Sequence, residues 1–195
     1  MTLTGIDIVD LTCPLNQAGF NNKEYLKKFL TDDELRHIQK HNSLYMPAVF
    51  WTCKESAYKI LLKMGFQKAF SPAKFNVKII DRSENIIHSE INYKNQIFHS
   101  LTTIKSVYIV TIAGNEKSSI SESLLNEIII ESKNKEVADM AFIDHFSKKH
   151  DQPEKKFKIV RRNSDPSIFF NNEKFSVDLS ISHDRQFHAY TFIKV

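Results

Sequence analysis

Apolar and polar positions alternate at the start of the chain. Within Leu3–Leu11, Ile6 and Ile8 flank Asp7, and this period of two predicts a short strand with the acid on the face opposite the isoleucines. Asn21–Phe29 reads as a first helix. Thr31-Asp32-Asp33-Glu34 opens another, with a Thr cap, a Glu three residues on and acids in the first turn. The clearest helix runs from Pro47 to Met64, with Pro in its first turn and Gly65 at its end. Phe50, Cys53, Ala57, Ile60, Leu61 and Met64 recur along it at helical spacing and form its buried stripe. Residues 75–81, 86–93, 97–103 and 107–113 then read as strands of an antiparallel meander.

Asn115–Ser119 is small and polar, the pattern of a linker. Helices follow at Ser121–Glu131 and around Glu136–Lys148, then a charged surface loop, Lys148–Lys156, that contains Pro153. Phe157–Val160, Ser167–Phe170, Val177–Ser182 and Phe187–Lys194 read as strands. Both parts pass from helices to strands and end in an apolar segment, Tyr108–Ala113 and Ala189–Ile193, an order that points to two similar halves.

Composition narrows the class. Hydrophobic residues make up 42% and charged residues 26% of 195 positions, ordinary for a globular chain, and fifteen Phe against four Gly predict a well-filled interior. A formal charge of +4 is too weak and too dispersed to argue for nucleic acid. It suits an anionic small ligand or an acidic protein partner. Cys13 and Cys53 form neither a C-x-x-C nor a zinc spacing, so a reducing cytoplasm is the expected compartment. No basic segment with an apolar run opens the chain, and no uncharged apolar stretch approaches the ~20 residues of a membrane span.

The candidate chemistry lies in Asp7 on the first strand and Lys54, Glu55 and Lys59 on the strong helix. Trp51, Glu55 and Lys59 are spaced i, i+4, i+8 and stack along one face, away from the apolar stripe. Lys54 lies about 100° around the helix from Glu55. If the helix packs beside the strand, carboxylates that suit a hard cation meet ammonium groups that suit phosphate oxygens. The plainer reading is a solvated i, i+4 Glu–Lys pair worth ~0.2–0.5 kcal/mol.

Two segments carry a resemblance that favours the first reading. Gly5-Ile6-Asp7-Ile8-Val9-Asp10 resembles the glycine–x–aspartate signature of 4′-phosphopantetheinyl transferases. Trp51-Thr52-Cys53-Lys54-Glu55-Ser56-Ala57-Tyr58-Lys59 resembles their Trp-x-x-Lys-Glu-Ala/Ser-x-x-Lys signature, and Phe29–Glu34 is similar to the helix start that precedes it. Near the end, Leu179-Ser180-Ile181-Ser182-His183-Asp184 resembles the family's strand-borne Ser-His motif, which contacts the 3′-phosphate end of coenzyme A. A strand end offering a hydroxyl, an imidazole and backbone N–H groups is chemically able to do so. The other histidines, His188 among them, show no ligand spacing.

The resemblance implies an α+β fold of two similar halves, each with helices packed on a small antiparallel sheet: residues 1–115 with the metal-binding motifs and 116–195 with the Ser-His motif. The motifs run in the order of the short holo-acyl-carrier-protein-synthase type, at nearly the length of the two-half type. This implies a permuted monomer, with the short type's trimer as the alternative. It further implies Mg²⁺ on Asp7 and Glu55, Glu55 as base, Lys59 and Lys54 on the phosphates, and Ser182 and His183 on coenzyme A. An acyl or peptidyl carrier protein would receive the arm, meeting basic residues such as Lys23, Lys27, Lys28, Arg36 and Lys40. A binding module that kept the fold and lost turnover is the alternative. A nuclease is not favoured, because Ala57 stands where its Glu-x-Lys motif needs a lysine. Two departures from the family pattern matter. Val9 replaces a second acid, and Ser164-Asp165-Pro166 replaces a Gly-Lys-Pro turn, leaving Arg161 and Arg162 to supply charge.

Overall fold

In the computed structural model, which describes residues 1–41, 43–66, 69–162 and 165–195, strand β1 (Thr4–Asp10) is buried at every position. It lies between two layers, as its alternation requires. Ile6 and Ile8 pack with Val110, Ile112, Phe187 and Ala189. The other face turns to helix α4 (Met46–Lys63). A Cβ on Gly5 would stand 2.1 Å from the Ser56 carbonyl oxygen, so only glycine lets strand and helix approach this closely.

Strands β2 (Asn76–Arg82), β3 (Ile86–Tyr93), β4 (Gln96–Ile104) and β5 (Tyr108–Gly114) form the expected meander. β1 adds to β5, giving the order β1-β5-β4-β3-β2, all antiparallel. The stripe of α4 packs on this sheet, with Phe50, Cys53, Ala57, Ile60 and Leu61 joining Phe75, Ile87, Ile91 and Phe98 in one core. Met64 falls just past the helix and is 39% exposed, so it is not part of that stripe.

The expected first helix is two. Helix α1 (Pro14–Phe20) begins on its proline, and α2 (Lys23–Phe29) begins after Asn22, whose side chain accepts from the Glu24 and Tyr25 amides. Helix α3 (Asp32–His41) opens on a reciprocal capping box. The Thr31 amide donates to Glu34 Oε2 at 2.8 Å, and the Glu34 amide donates to Thr31 Oγ1 at 3.4 Å.

The second part differs from expectation at its start. Asn115–Ser119 is no linker, because helix α5 (Lys117–Leu125) already includes Ser119 and Asn115 accepts from the Leu3 amide at 2.7 Å. Nor is Ser121–Glu131 one helix. Asn126 ends α5, its Nδ2 donating to Phe192 O at 2.7 Å, and Ile128–Glu131 form strand β6. Three consecutive isoleucines favour the pleated conformation, and β11 (Phe187–Lys194) offers them a partner.

Helix α6 (Lys135–Lys149) follows as expected and is capped by Asn134. β7 (Phe157–Arg162), β8 (Asp165–Phe170) and a two-residue β9 (Glu173–Lys174) make one three-stranded sheet, and β10 (Val177–Asp184), β11 and β6 make another. The Lys148–Lys156 stretch is not all loop, since α6 extends into it and a 3₁₀ turn, Glu154–Lys156, closes it. Phe142 and Phe146 of α6 pack with Leu179, Tyr190 and Phe192 in a second core. Among the described residues no helix is long and apolar enough to cross a membrane.

Candidate functional site

The close contact of β1 with α4 brings Asp7 under the helix face that carries Glu55 and Lys59. Lys59 Nζ lies 2.9 Å from Asp7 Oδ1 and donates to the Ile6 carbonyl at 2.6 Å. Strand β10 runs beside the outer edge of β1, and Ser182 Oγ donates to the same Asp7 oxygen at 2.6 Å. Lys59 and Ser182, from distant parts of the chain, therefore share one carboxylate. Glu55 has no hydrogen bond among the described residues, and its pKa is pushed up to about 7. Burial is the main cause, the charge of Asp7 adds to it, and Lys59 opposes it.

Lys54 is not in this group. It is wholly buried and donates to Glu34 Oε2 and to the Phe29 carbonyl, both at 2.6 Å. The turn of one residue along α4 separates it from Glu55 and aims it into the core, so the expected contact with coenzyme A phosphates is not made from this position. Trp51 shares the Glu55 face but packs edge-on against Phe29 and Phe70.

Two clefts lie against the partners and chain neighbours of Asp7 and Ser182, which are themselves buried and line neither. One, about 270 Å³, is lined by Glu55, Lys59, Lys63, Pro166, Ser180 and Ile181. The other, about 200 Å³, shares Pro166 and Ile181 and adds Lys135, Arg161, His183 and His188. His183 is exposed at the rim and stacks on His188, with centroids 5.8 Å apart and planes 14° from parallel. Desolvation, then the charges of His188, Lys135 and Lys59, hold the His183 pKa below its ordinary value. A larger cavity of about 570 Å³ lies elsewhere, against β3, β4 and α5, and holds none of these residues.

Sequence reasoning missed several neighbours. His188 pairs with His183 across the β10–β11 hairpin, a register that the short apolar flanks could have suggested. Lys63, one helical turn after Lys59, meets Asp178 at 2.7 Å, with both side chains buried. Arg161 carries a bidentate pair with Asp139, at 2.7 and 2.8 Å, so its charge is already matched. Ser164 and the side chain of Arg162 lie outside the described residues. Lys27 and Arg36, expected toward a partner, are exposed and paired within their own helices with Glu24 and Asp33.

The donor set suits a hard divalent cation. Both described polar contacts of Asp7 fall on Oδ1, and the Asp7 charge raises the Glu55 pKa while the one ammonium of Lys59 lowers it, so the group carries two carboxylates against one cation. Among the described residues no third His, Cys, Asp or Glu completes a metal cluster. Val9 is buried in the apolar core, and the Asp10 carboxylate accepts from Thr12 N at 2.7 Å and Oγ1 at 2.6 Å. A cation held here would draw its remaining ligands from waters and substrate phosphates.

The protonation of Glu55 makes a stability prediction. Its pKa in the folded chain lies above the ordinary 4.5, so the folded state holds the proton more tightly. The resulting stabilisation is full below pH 4.5 and is lost as pH rises through about 7. Thermal melts without divalent ions should show a loss of about 2–3 kcal/mol across that window, allowing for partial exposure. Millimolar Mg²⁺ should restore stability at pH 7.5, and Glu55→Gln should flatten the pH slope.

A model of the 4′-phosphopantetheinyl transferase superfamily matches residues 4–113, more than half of the chain. The chain belongs to that superfamily. The match spans β1 through most of β5, with both the Gly-x-Asp and the Lys-Glu motifs, and ends before Ser182 and His183. Comparison with curated proteins and with solved structures gives no match.

Proposed function

We propose that the protein transfers the 4′-phosphopantetheine arm of coenzyme A to a serine of an acyl or peptidyl carrier protein, with Mg²⁺, releasing 3′,5′-ADP. The observation that carries this reading is the Asp7 carboxylate, held by Lys59 and Ser182 near a Glu55 that has no hydrogen bond among the described residues and lines the adjoining cleft. Glu55 takes the proton of the carrier serine, directly or through a water. The serine oxygen then bonds to the phosphorus nearer pantetheine, and the pyrophosphate P–O bond breaks toward the nucleotide. Lys59 stabilises the charge that develops, and Ser182 fixes the Asp7 carboxylate through its hydrogen bond to Oδ1. Mg²⁺ on Asp7 and Glu55 would neutralise the pyrophosphate. Lys54 contributes through the fold.

The nucleotide end is assigned to the cleft with Lys135, His183 and His188, where stacked imidazoles and an ammonium suit a phosphate. The chain is read as two halves, residues 1–115 and 116–195, that meet at the β1–β10 seam. In support, each main sheet pairs its first strand with its last and its last with the one before: β1-β5-β4 and β6-β11-β10. A monomer in the cytoplasm serving fatty-acid, polyketide or peptide synthesis fits this reading, and sedimentation would detect a trimer instead.

Incubating an apo carrier protein with coenzyme A and Mg²⁺ tests the proposal. Mass spectrometry should record the gain of one phosphopantetheine, abolished by EDTA. Binding of coenzyme A without any mass gain would favour the module that lost turnover, a reading motivated by Val9 in place of an acid.

A further inference from the structure

β1 is an edge strand. Its inner side pairs with β5, and an unpaired outer row of N–H and C=O groups is normally covered by another strand or by water. Here side chains take that role. The Thr4 amide donates to Asp178 Oδ2 at 2.7 Å, the Ile6 amide to Ser180 Oγ at 3.0 Å, and the Asp10 amide to Asp184 Oδ2 at 2.9 Å. The carbonyls are served in parallel: Thr4 O accepts from Lys63 at 2.8 Å, Ile6 O from Lys59 at 2.6 Å, and Asp10 O from Asn16 at 2.9 Å.

The acceptors on β10 are alternate residues, 178, 180 and 184, and the fourth in the series, 182, is the serine on Asp7. One face of β10 is therefore matched tooth by tooth to the edge that carries the candidate carboxylate. Its far end is tied down by the buried Lys63–Asp178 pair, of which Lys63 also lines the cleft that holds Glu55 and Lys59.

We propose that this polar face of β10 closes on β1 as one cooperative zipper anchored by Lys63 and Asp178, and that these two are positioning residues for Asp7. The proposal rests on the transferase reading above for its consequence in catalysis, not for the zipper itself. Register along the edge sets where Ser182 meets Asp7, so slackening the anchor shifts the carboxylate without touching it. Lys63 lies against the cleft with its ammonium held by Asp178 and the Thr4 carbonyl, as Lys59 is held by Asp7 and the Ile6 carbonyl.

The test uses Lys63→Met, Asp178→Asn, their double variant and the milder Ser180→Ala. Amide hydrogen exchange should rise together at Thr4, Ile6 and Asp10 in each single variant, because the rungs open as a unit. With the carrier-protein assay, kcat should fall about tenfold or more while KM for coenzyme A stays within about twofold, as for a misplaced group. The double variant should recover part of the loss, since neither charge is left unpaired. Exchange rising only at the mutated rung overturns the zipper. A raised KM with kcat preserved makes Lys63 a substrate contact and overturns the positioning role, and unchanged kinetics overturn it equally. A wild-type protein with no transfer sinks the transferase reading, while the exchange pattern still decides the zipper.

Discussion

Glu55→Gln is expected to abolish transfer while leaving the fold intact. Glutamine matches the shape of glutamate but accepts no proton and is a poorer ligand for a hard cation. A positioned general base contributes about 10²–10⁴ in rate, so single-turnover transfer should slow by about a thousandfold or more, equivalent to about 4 kcal/mol of barrier. Stability should not suffer, because Glu55 makes no hydrogen bond among the described residues and its charge is resisted by burial and by Asp7. The melting temperature at pH 7.5 without divalent ions should rise by about 5 °C or more, since the variant escapes the cost of the buried charge. Activity within tenfold of wild type would exclude Glu55 as the base. A collapse in stability would show that the carboxylate holds the fold.

The parts of this site legible in the sequence were those fixed by local periodicity. The alternation around Asp7 and the spacing of Glu55 and Lys59 set which way each side chain points once β1 and α4 are in contact, and Gly5 is the residue that permits the contact. Four strands of the meander were equally plain. What could not be read depends on register between distant segments. That Ser182 would reach Asp7 follows from the packing of β10 beside β1, which no local pattern encodes. The helix–strand confusion at Ile128–Ile130 has the same origin: a short apolar run takes its conformation from the strand it meets.

The two motifs also prove to be of two kinds. Glu55 and Lys59 line a cleft, with Asp7 bound to Lys59 behind them, whereas Glu34 and Lys54 are a single buried connection. Glu34 caps α3, accepts the Val77 amide at 2.8 Å and receives Lys54. One carboxylate thus joins α3, α4 and β2. The signature residues next to each other in sequence, Lys54 and Glu55, divide between holding the scaffold and facing the cleft.

That division makes Lys54→Met the second large effect, on stability rather than on substrate. Both Lys54 and Glu34 have fully buried side chains, and burial presses the Lys54 pKa below its ordinary value while Glu34 supports the charge. Methionine fills the space but leaves the Glu34 charge without its cation and the Phe29 carbonyl without its donor. Breaking one partner of such a pair costs about 3–5 kcal/mol. Urea unfolding should record a loss of that size, with the protein that remains folded at low temperature transferring at nearly the normal rate and with an unchanged KM for coenzyme A. Adding Glu34→Gln should recover part of the stability, because no charge is stranded, although the single amide oxygen accepts from only one of the Thr31 and Val77 amides. The opposite pattern, a raised KM with stability intact, would mean that Lys54 leaves the core to meet the phosphates, and would return it to the site.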